Sequence, residues 1–279
     1  MKDYKEWVDY TNTRAYFPLF IETPDDLPEV LKEYYDPESS YKVYIPENRY
    51  NRQPAILLQN YPTMMKASVV GKGSVNTSEI PFTDVVYFET EVCLLAGLLH
   101  IHFGTRTLEI PYPLIREDLI KPFVESIRKS YVPASMTECN KDDFMKKFEE
   151  HKMPLKFINY THDALYKEAD IKEVVFLGSQ EKQEEGERFV LPKLVLVTDK
   201  ELLLLREDNK YDAEEPQYGM ITAYIPLRNF KKLNVRRVAE TSKVLLDFSL
   251  ADGHDCTFHA HMTAAEEVKL TVALTKLYM

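Results

Sequence analysis

The sequence predicts a mainly β (α+β) chain of two tandem units, each of about seven antiparallel strands closed by a C-terminal helix and preceded by a short α/β extension. Three observations predict this. Runs rich in Val, Leu, Ile, Phe and Tyr recur between turn residues. The segments of the first half return in the same order in the second. Each half ends on an amphipathic helical stretch.

The internal repeat comes first because it organises everything else. Pro18-Leu19-Phe20-Ile21 is answered by Pro154-Leu155-Lys156-Phe157-Ile158, and Tyr41-Lys42-Val43-Tyr44-Ile45 by the run from Ile171 to Leu177. Pro54-Ala55-Ile56-Leu57-Leu58 is matched by Pro192-Lys193-Leu194-Val195-Leu196, and Ile80-Pro81-Phe82 by Ile225-Pro226-Leu227. Leu98 to Phe103 matches Val244 to Phe248, and the helix ending at Tyr131 matches the one ending at Tyr278. The separation between partners lengthens toward the C-terminus, as insertions in loops produce. The expected division is 1–134 and 135–279.

In the second half, a helical stretch from Lys141 to Glu150 precedes an extended piece at Leu155–Ile158. Seven strands follow, about 171–177, 188–197, 200–206, 219–226, 228–238, 243–250 and 255–261. Thr198-Asp199-Lys200 reads as a tight turn. Ala251-Asp252-Gly253-His254 reads as a hairpin turn, since Asp-Gly supplies the positive φ it needs. Thr263-Ala264-Ala265-Glu266 opens a helix with a capping box. In the first half the closing helix carries Ile120, Phe123, Val124, Ile127 and Tyr131 at helical spacing, and it restarts near Pro122 because proline breaks an interior helix.

Leu194-Val195-Leu196-Val197-Thr198-Asp199-Lys200-Glu201-Leu202-Leu203-Leu204 resembles the strand–turn–strand of bacterial pleckstrin-homology-like and GRAM-like domains, and Ile225-Pro226-Leu227-Arg228-Asn229-Phe230 resembles their following segment. The resemblance covers about 171–279 and, through the repeat, about 41–131; the first half departs from it with Asn60-Tyr61-Pro62-Thr63 at the turn. It implies two small barrels that bind phosphoinositides, peptides or other proteins and can self-associate.

Composition bounds the function. Hydrophobic residues make up 44% of the chain, enough for a substantial core. The net charge of −10, spread over both halves, repels phosphate backbones and anionic lipid at long range. General nucleic-acid binding is therefore not expected, and membrane lipid is disfavoured. Three dispersed cysteines (Cys93, Cys139, Cys256) suit a reducing compartment. With no apolar leader, the expected location is the cytoplasm. No metalloprotease, nucleophile-elbow or P-loop motif occurs, so neither an enzyme nor a cofactor is expected. The expected function is a non-catalytic binding or assembly module, with a protein partner or self-association; the alternatives are peripheral binding to anionic lipid through local basic residues, and an enzyme or metal-binding protein whose site is not visible in the sequence.

Three candidate sites remain. Arg49 and Arg52, in the loop after the first strand, could fork onto a phosphate or carboxylate. Arg228, Lys231, Lys232, Arg236, Arg237 and Lys243 form a basic strip that could dock an acidic partner. Strand alternation splits that strip between faces unless a bulge intervenes. His259 and His261 share one face near His254, Asp255 and Cys256, and His100 and His102 repeat the spacing. Zinc needs three or four converging ligands, so these are metal candidates only in part. The run from Arg206 to Glu215 reads as a solvated loop.

Overall fold

A computed structural model describes residues 17–48, 53–132, 148, 153–166, 169–178, 191–207, 219–237 and 243–275. They form three antiparallel sheets and a few helices. The chain divides into two compact units, one of Met1–Val85, Leu95–Leu98 and Ile110–Ser130, the other of Val86–Leu94, Leu99–Glu109 and Tyr131–Met279. No helix among the described residues is long and apolar enough to cross a membrane.

In the first unit, β1 (Leu19–Phe20), β2 (Tyr41–Ile45), β3 (Ile56–Asn60), β4 (Met64–Val70) and β5 (Val75–Pro81) hydrogen-bond in chain order. Every residue of the central strand β3 is buried. The buried Gln59 meets its hydrogen-bonding needs locally: its Oε1 accepts from the Asp36 amide at 2.7 Å and its Nε2 donates to the Tyr34 carbonyl at 3.0 Å. Ahead of β2, helix α1 (Glu29–Lys32) carries Leu31 into a cluster with Ile21, Leu27, Ala55 and Leu57. Helix α2 (Lys121–Lys129) holds Pro122 in its first turn, where the missing amide costs nothing. It buries Phe123 and Ile127. The Phe123 ring meets Tyr41 edge-on at 5.5 Å, and Asn60 donates to the Ser126 hydroxyl at 2.7 Å.

The second unit contains most of a seven-stranded sheet. Its strands are β6 (Val85–Cys93), β7 (Ala96–Phe103), β8 (Arg106–Pro113), β9 (Ile171–Leu177), β10 (Lys193–Thr198), β11 (Glu201–Glu207) and β12 (Gly219–Pro226). Their order is β8-β7-β6-β12-β11-β10-β9. A separate sheet holds β13 (Phe230–Arg237), β14 (Lys243–Leu250) and β15 (Asp255–His261) in that order. Val195, Val197, Leu202 and Leu204 of the large sheet share a core with Leu246, Phe248 and Phe258 of the small one. Helix α4 (Ala264–Thr275) adds Leu270 and Leu274 to that core.

Local turn chemistry places these strands as the sequence expects. The Thr198 hydroxyl accepts from the amides of Lys200 at 3.2 Å and Glu201 at 3.0 Å, closing the β10–β11 hairpin. Asp252 and Gly253 take φ of 55° and 75° between β14 and β15. Thr263 and Glu266 cap α4 reciprocally, with the Thr263 amide 2.7 Å from the Glu266 carboxylate and the Glu266 amide 3.3 Å from the Thr263 hydroxyl.

Two expectations are corrected. The two closed barrels are not formed, because no sheet among the described residues closes on itself. Strands β6–β8, which fall within the expected first unit of 1–134, continue edge to edge with β9–β12. Pairing β6 with β12 satisfies two rows of main-chain groups that would otherwise be open edges. The extended piece at Leu155–Ile158 is helical: α3 (Leu155–Ala164) starts after Pro154 and buries Phe157, Ile158, Thr161 and Ala164 at helical spacing. That segment's partner in the repeat, Leu19–Phe20, is a strand, so this pair of matched segments differs in structure. The expected helix from Lys141 to Glu150 lies outside the described residues except for Phe148.

Phe248 is fully buried, with its ring centroid 6.2 Å from that of Phe230 and 5.6 Å from that of Phe258. Phe248→Ala should lower unfolding free energy in urea by roughly 3–5 kcal/mol, through lost transfer energy and the cavity left behind. Val268→Ala, on the exposed side of α4, should stay within about 0.5 kcal/mol of wild type in the same assay.

Candidate functional site

Cross-strand register sets one polar row at the border of the second core. Lys193 stands opposite Arg206, Arg206 opposite Ile221, and Ile221 opposite Glu91. Residues opposite one another share a face, so the row continues the apolar face carried by Leu202, Leu204 and Ala223. Arg206 reaches diagonally across the sheet to Glu89, its Nη2 lying 2.8 Å from Oε1, and both side chains are largely buried. Burial and the adjoining Arg206 charge, in that order, depress the Lys193 ammonium to about 8. Its Nζ donates to the Leu191 carbonyl at 2.8 Å. The buried Cys256 thiol is pushed up to about 12, mainly by desolvation, which leaves it a poor nucleophile.

Alongside this row the histidines of β7 point to the same side as alternate residues of β6. Tyr87 and His102 stack face to face, with centroids 4.0 Å apart and planes 4° apart. His100 lies 3.8 Å from Glu91 and 3.7 Å from Glu109. His254, from the β14–β15 turn, stands edge-on to both Tyr87 at 6.0 Å and His102 at 5.8 Å, and its Nε2 meets the Gly104 carbonyl. Burial lowers the His102 imidazole to about 4; Glu89 opposes that shift, while His100, His254 and Arg206 reinforce it. His102 Nδ1 is 3.0 Å from the Thr107 hydroxyl.

The structure sorts the residues predicted as sites. His259 and His261 do lie on one face of β15, but His259 is exposed beside Thr257 while Cys256 faces the core. His254 joins His100 and His102 instead. Among the described residues no group of three or more His, Cys, Asp or Glu side chains could hold a metal ion. Arg49 and Arg52 lie outside the described residues. The side chain of Lys243 does too.

The basic strip is brought together more than simple alternation predicts, because the bulge it required is present. Phe230 pairs with Leu250 but Lys232 with Ser249, so Lys231 is an extra residue in β13. Lys231 and Lys232 are consequently both exposed, ahead of inward-leaning Leu233 and Val235. Arg236 shares the outward row with Lys232 and lies 3.9 Å from Asp247. Arg237, at the strand's end, meets Glu267 of α4. Arg228 sits in the turn before β13, its guanidinium 5.8 Å from the centre of the Tyr131 ring.

The solvated-loop reading of the run from Arg206 is corrected at its start. Arg206 and Glu207 belong to β11, and Glu207 bonds Lys156 at 3.1 Å. Residues 208–215 lie outside the described residues. Alternation of Leu202, Leu204 and Arg206 on one face was the available signal for burial of Arg206. The contribution of Glu89 depended on which strand lay beside β12, and nothing in the sequence carries that information.

No protein-family model matches the chain, and no curated protein matches it. Among solved structures it is similar to the crystal structure of the DH/PH domains of p115-RhoGEF, at 12% identity and a TM-score of 0.26. That match covers 58% of this chain and 44% of the other, so the chain spans less than half of that structure's length.

Because the folded pKa of His102 lies below the ordinary value of 6.5, the unfolded chain takes up this proton first as pH falls. The stability involved is fully present above about 6.5 and is lost progressively toward pH 4, on the order of 1–2 kcal/mol after screening by solvent. Urea titrations of wild type and His102→Gln across that window should show a shallower slope in the variant. Lys193 gives the opposite end of the curve. Its depressed pKa makes stability rise from about pH 8 toward 10.5, and Lys193→Met should remove that rise.

Proposed function

We propose that the chain is a non-catalytic binding or assembly module built from two tandem pleckstrin-homology-like repeats of the bacterial, GRAM-like kind, acting on a protein partner or on a second copy of itself in the cytoplasm. The observation that carries this reading is the order of elements. A four-strand meander (β2–β5), a proline-led 3-10 turn, a three-strand meander (β6–β8) and helix α2 are followed later by β9–β12, a second proline-led turn, β13–β15 and α4. Both turns open on a proline, Pro81 and Pro226. A shared order of this length favours duplication of one ancestral unit.

The polar row supports a structural rather than a catalytic role. Arg206 is bonded to Glu89, Lys156 to Glu207 and the Gly219 carbonyl, and Lys193 to the Leu191 carbonyl. These contacts spend the strong donors on the protein's own acceptors. Binding is then left to sheet edges and to the exposed strip of β13. The same strip supports a second reading, peripheral attachment to anionic lipid, which predicts flotation with anionic vesicles that salt weakens.

Pull-down from a native lysate, paired with light scattering across a concentration series, tests the first reading. A stoichiometric protein partner or a concentration-dependent oligomer is the expected result. Repeated recovery of a monomer with neither would overturn it.

A further inference from the structure

Resting on the binding-module reading, we infer that the outer edge of β13 accepts an extended acidic peptide segment of a partner protein as an added antiparallel or parallel strand. In this arrangement Lys232 and Arg236 meet alternate carboxylates of the partner.

Among the described residues strand β13 is terminal in its three-stranded sheet, with β14 on one side only. From Lys232 to Arg237 its register with β14 is regular, so the length beyond the bulge is an ordinary strand edge. Edges of this kind are templates for another strand. Side chains decide which strand. Lys232, Asn234 and Arg236 alternate on the outward side, and Lys231 is exposed at the bulge. A partner strand with acidic residues at every second position would place them beside these cations.

Basic residues and a bulge are also the devices that keep edges from pairing with apolar strands. Here that protection and the proposed recognition have one origin. An apolar strand would have to desolvate Lys232 without compensation and Arg236 with only the Asp247 carboxylate at 3.9 Å, whereas an acidic strand compensates both. The chain's net charge of −10 makes the local reversal at β13 stand out as a point of encounter for an acidic segment.

A flat anionic membrane fits this surface less well. The outward side of the same sheet carries Asp247 opposite Asn234 and Asp255 opposite Ser249. A planar lipid surface would press on those carboxylates together with the cations. One strand laid along the edge would meet β13 alone.

The test uses the full chain and a fluorescent synthetic peptide of about ten residues alternating Glu and Val, a length matched to one strand. Its counterpart alternating Lys and Val, and vesicles rich in phosphatidylserine, form the other arms. Fluorescence polarisation should show saturable binding of the Glu peptide, weakened by salt, and none of the Lys peptide. The double variant Lys232→Glu/Arg236→Glu, both sites being exposed, should keep the wild-type circular dichroism and melting point yet bind at least about tenfold more weakly. Amides of β13 should gain protection from hydrogen exchange on adding the peptide, while those of β15 should not.

Failure of the Glu peptide to bind would overturn the assignment, as would equal binding by the double variant or vesicle binding without peptide binding. Any of these results beside a successful pull-down or oligomer would remove only the β13 assignment. Loss of both would remove the module reading as well.

Discussion

Main-chain groups along a sheet edge need partners, and the pairing of β6 with β12 is where this chain meets that need. Six residue pairs run from Gly219–Cys93 to Tyr224–Phe88. At one end the Phe88 and Tyr224 rings stack with centroids 4.6 Å apart, and near the middle Thr90 faces the buried Thr222. Asn229 adds a bond of 2.8 Å to the Val86 carbonyl. Without this junction β6–β8 would form one small sheet and β9–β12 another, each with an exposed apolar edge. With it, one sheet is wide enough to place polar side chains from distant parts of the sequence in a single row.

That row explains why the polar residues of the second unit are where they are. Arg206 is held against Glu89 although 117 residues separate them in sequence. Removing either partner would leave a largely buried charge, so the pair constrains which strand can stand beside β12. The pair sits next to the stacked Tyr87 and His102, where aromatic surface excludes water and favours the neutral imidazole. Sheet continuity and charge pairing are thus consequences of one strand pairing, and the Arg206–Glu89 pair it brings together acts on the neighbouring His102.

Much of the fold was legible because strand and turn signals are local. The Asp252-Gly253 turn, the Thr198 hairpin and the Thr263–Glu266 box each depend on residues within a few positions of one another, and each is observed. The misread segments had competing local readings. Leu155–Ile158 has an apolar content that suits a strand, yet Phe157, Thr161 and Ala164 share the buried side of a helix. The basic strip was legible in composition, while its shared exposure required the extra residue at Lys231, which only the register with β14 reveals.

The sequence by itself determined most of the element types, their order, the turns at Thr198 and Asp252-Gly253 and the acidic balance against which the basic strip stands out, since propensity, period and charge are properties of short stretches. Tertiary structure alone decided which edge pairs with which, that no sheet among the described residues closes into a barrel, and that His254 joins His100 and His102 while His259 faces solvent. Edge pairing is chosen by comparing whole strands far apart in the chain, through buried area and hydrogen bonds that exist only after the strands have met.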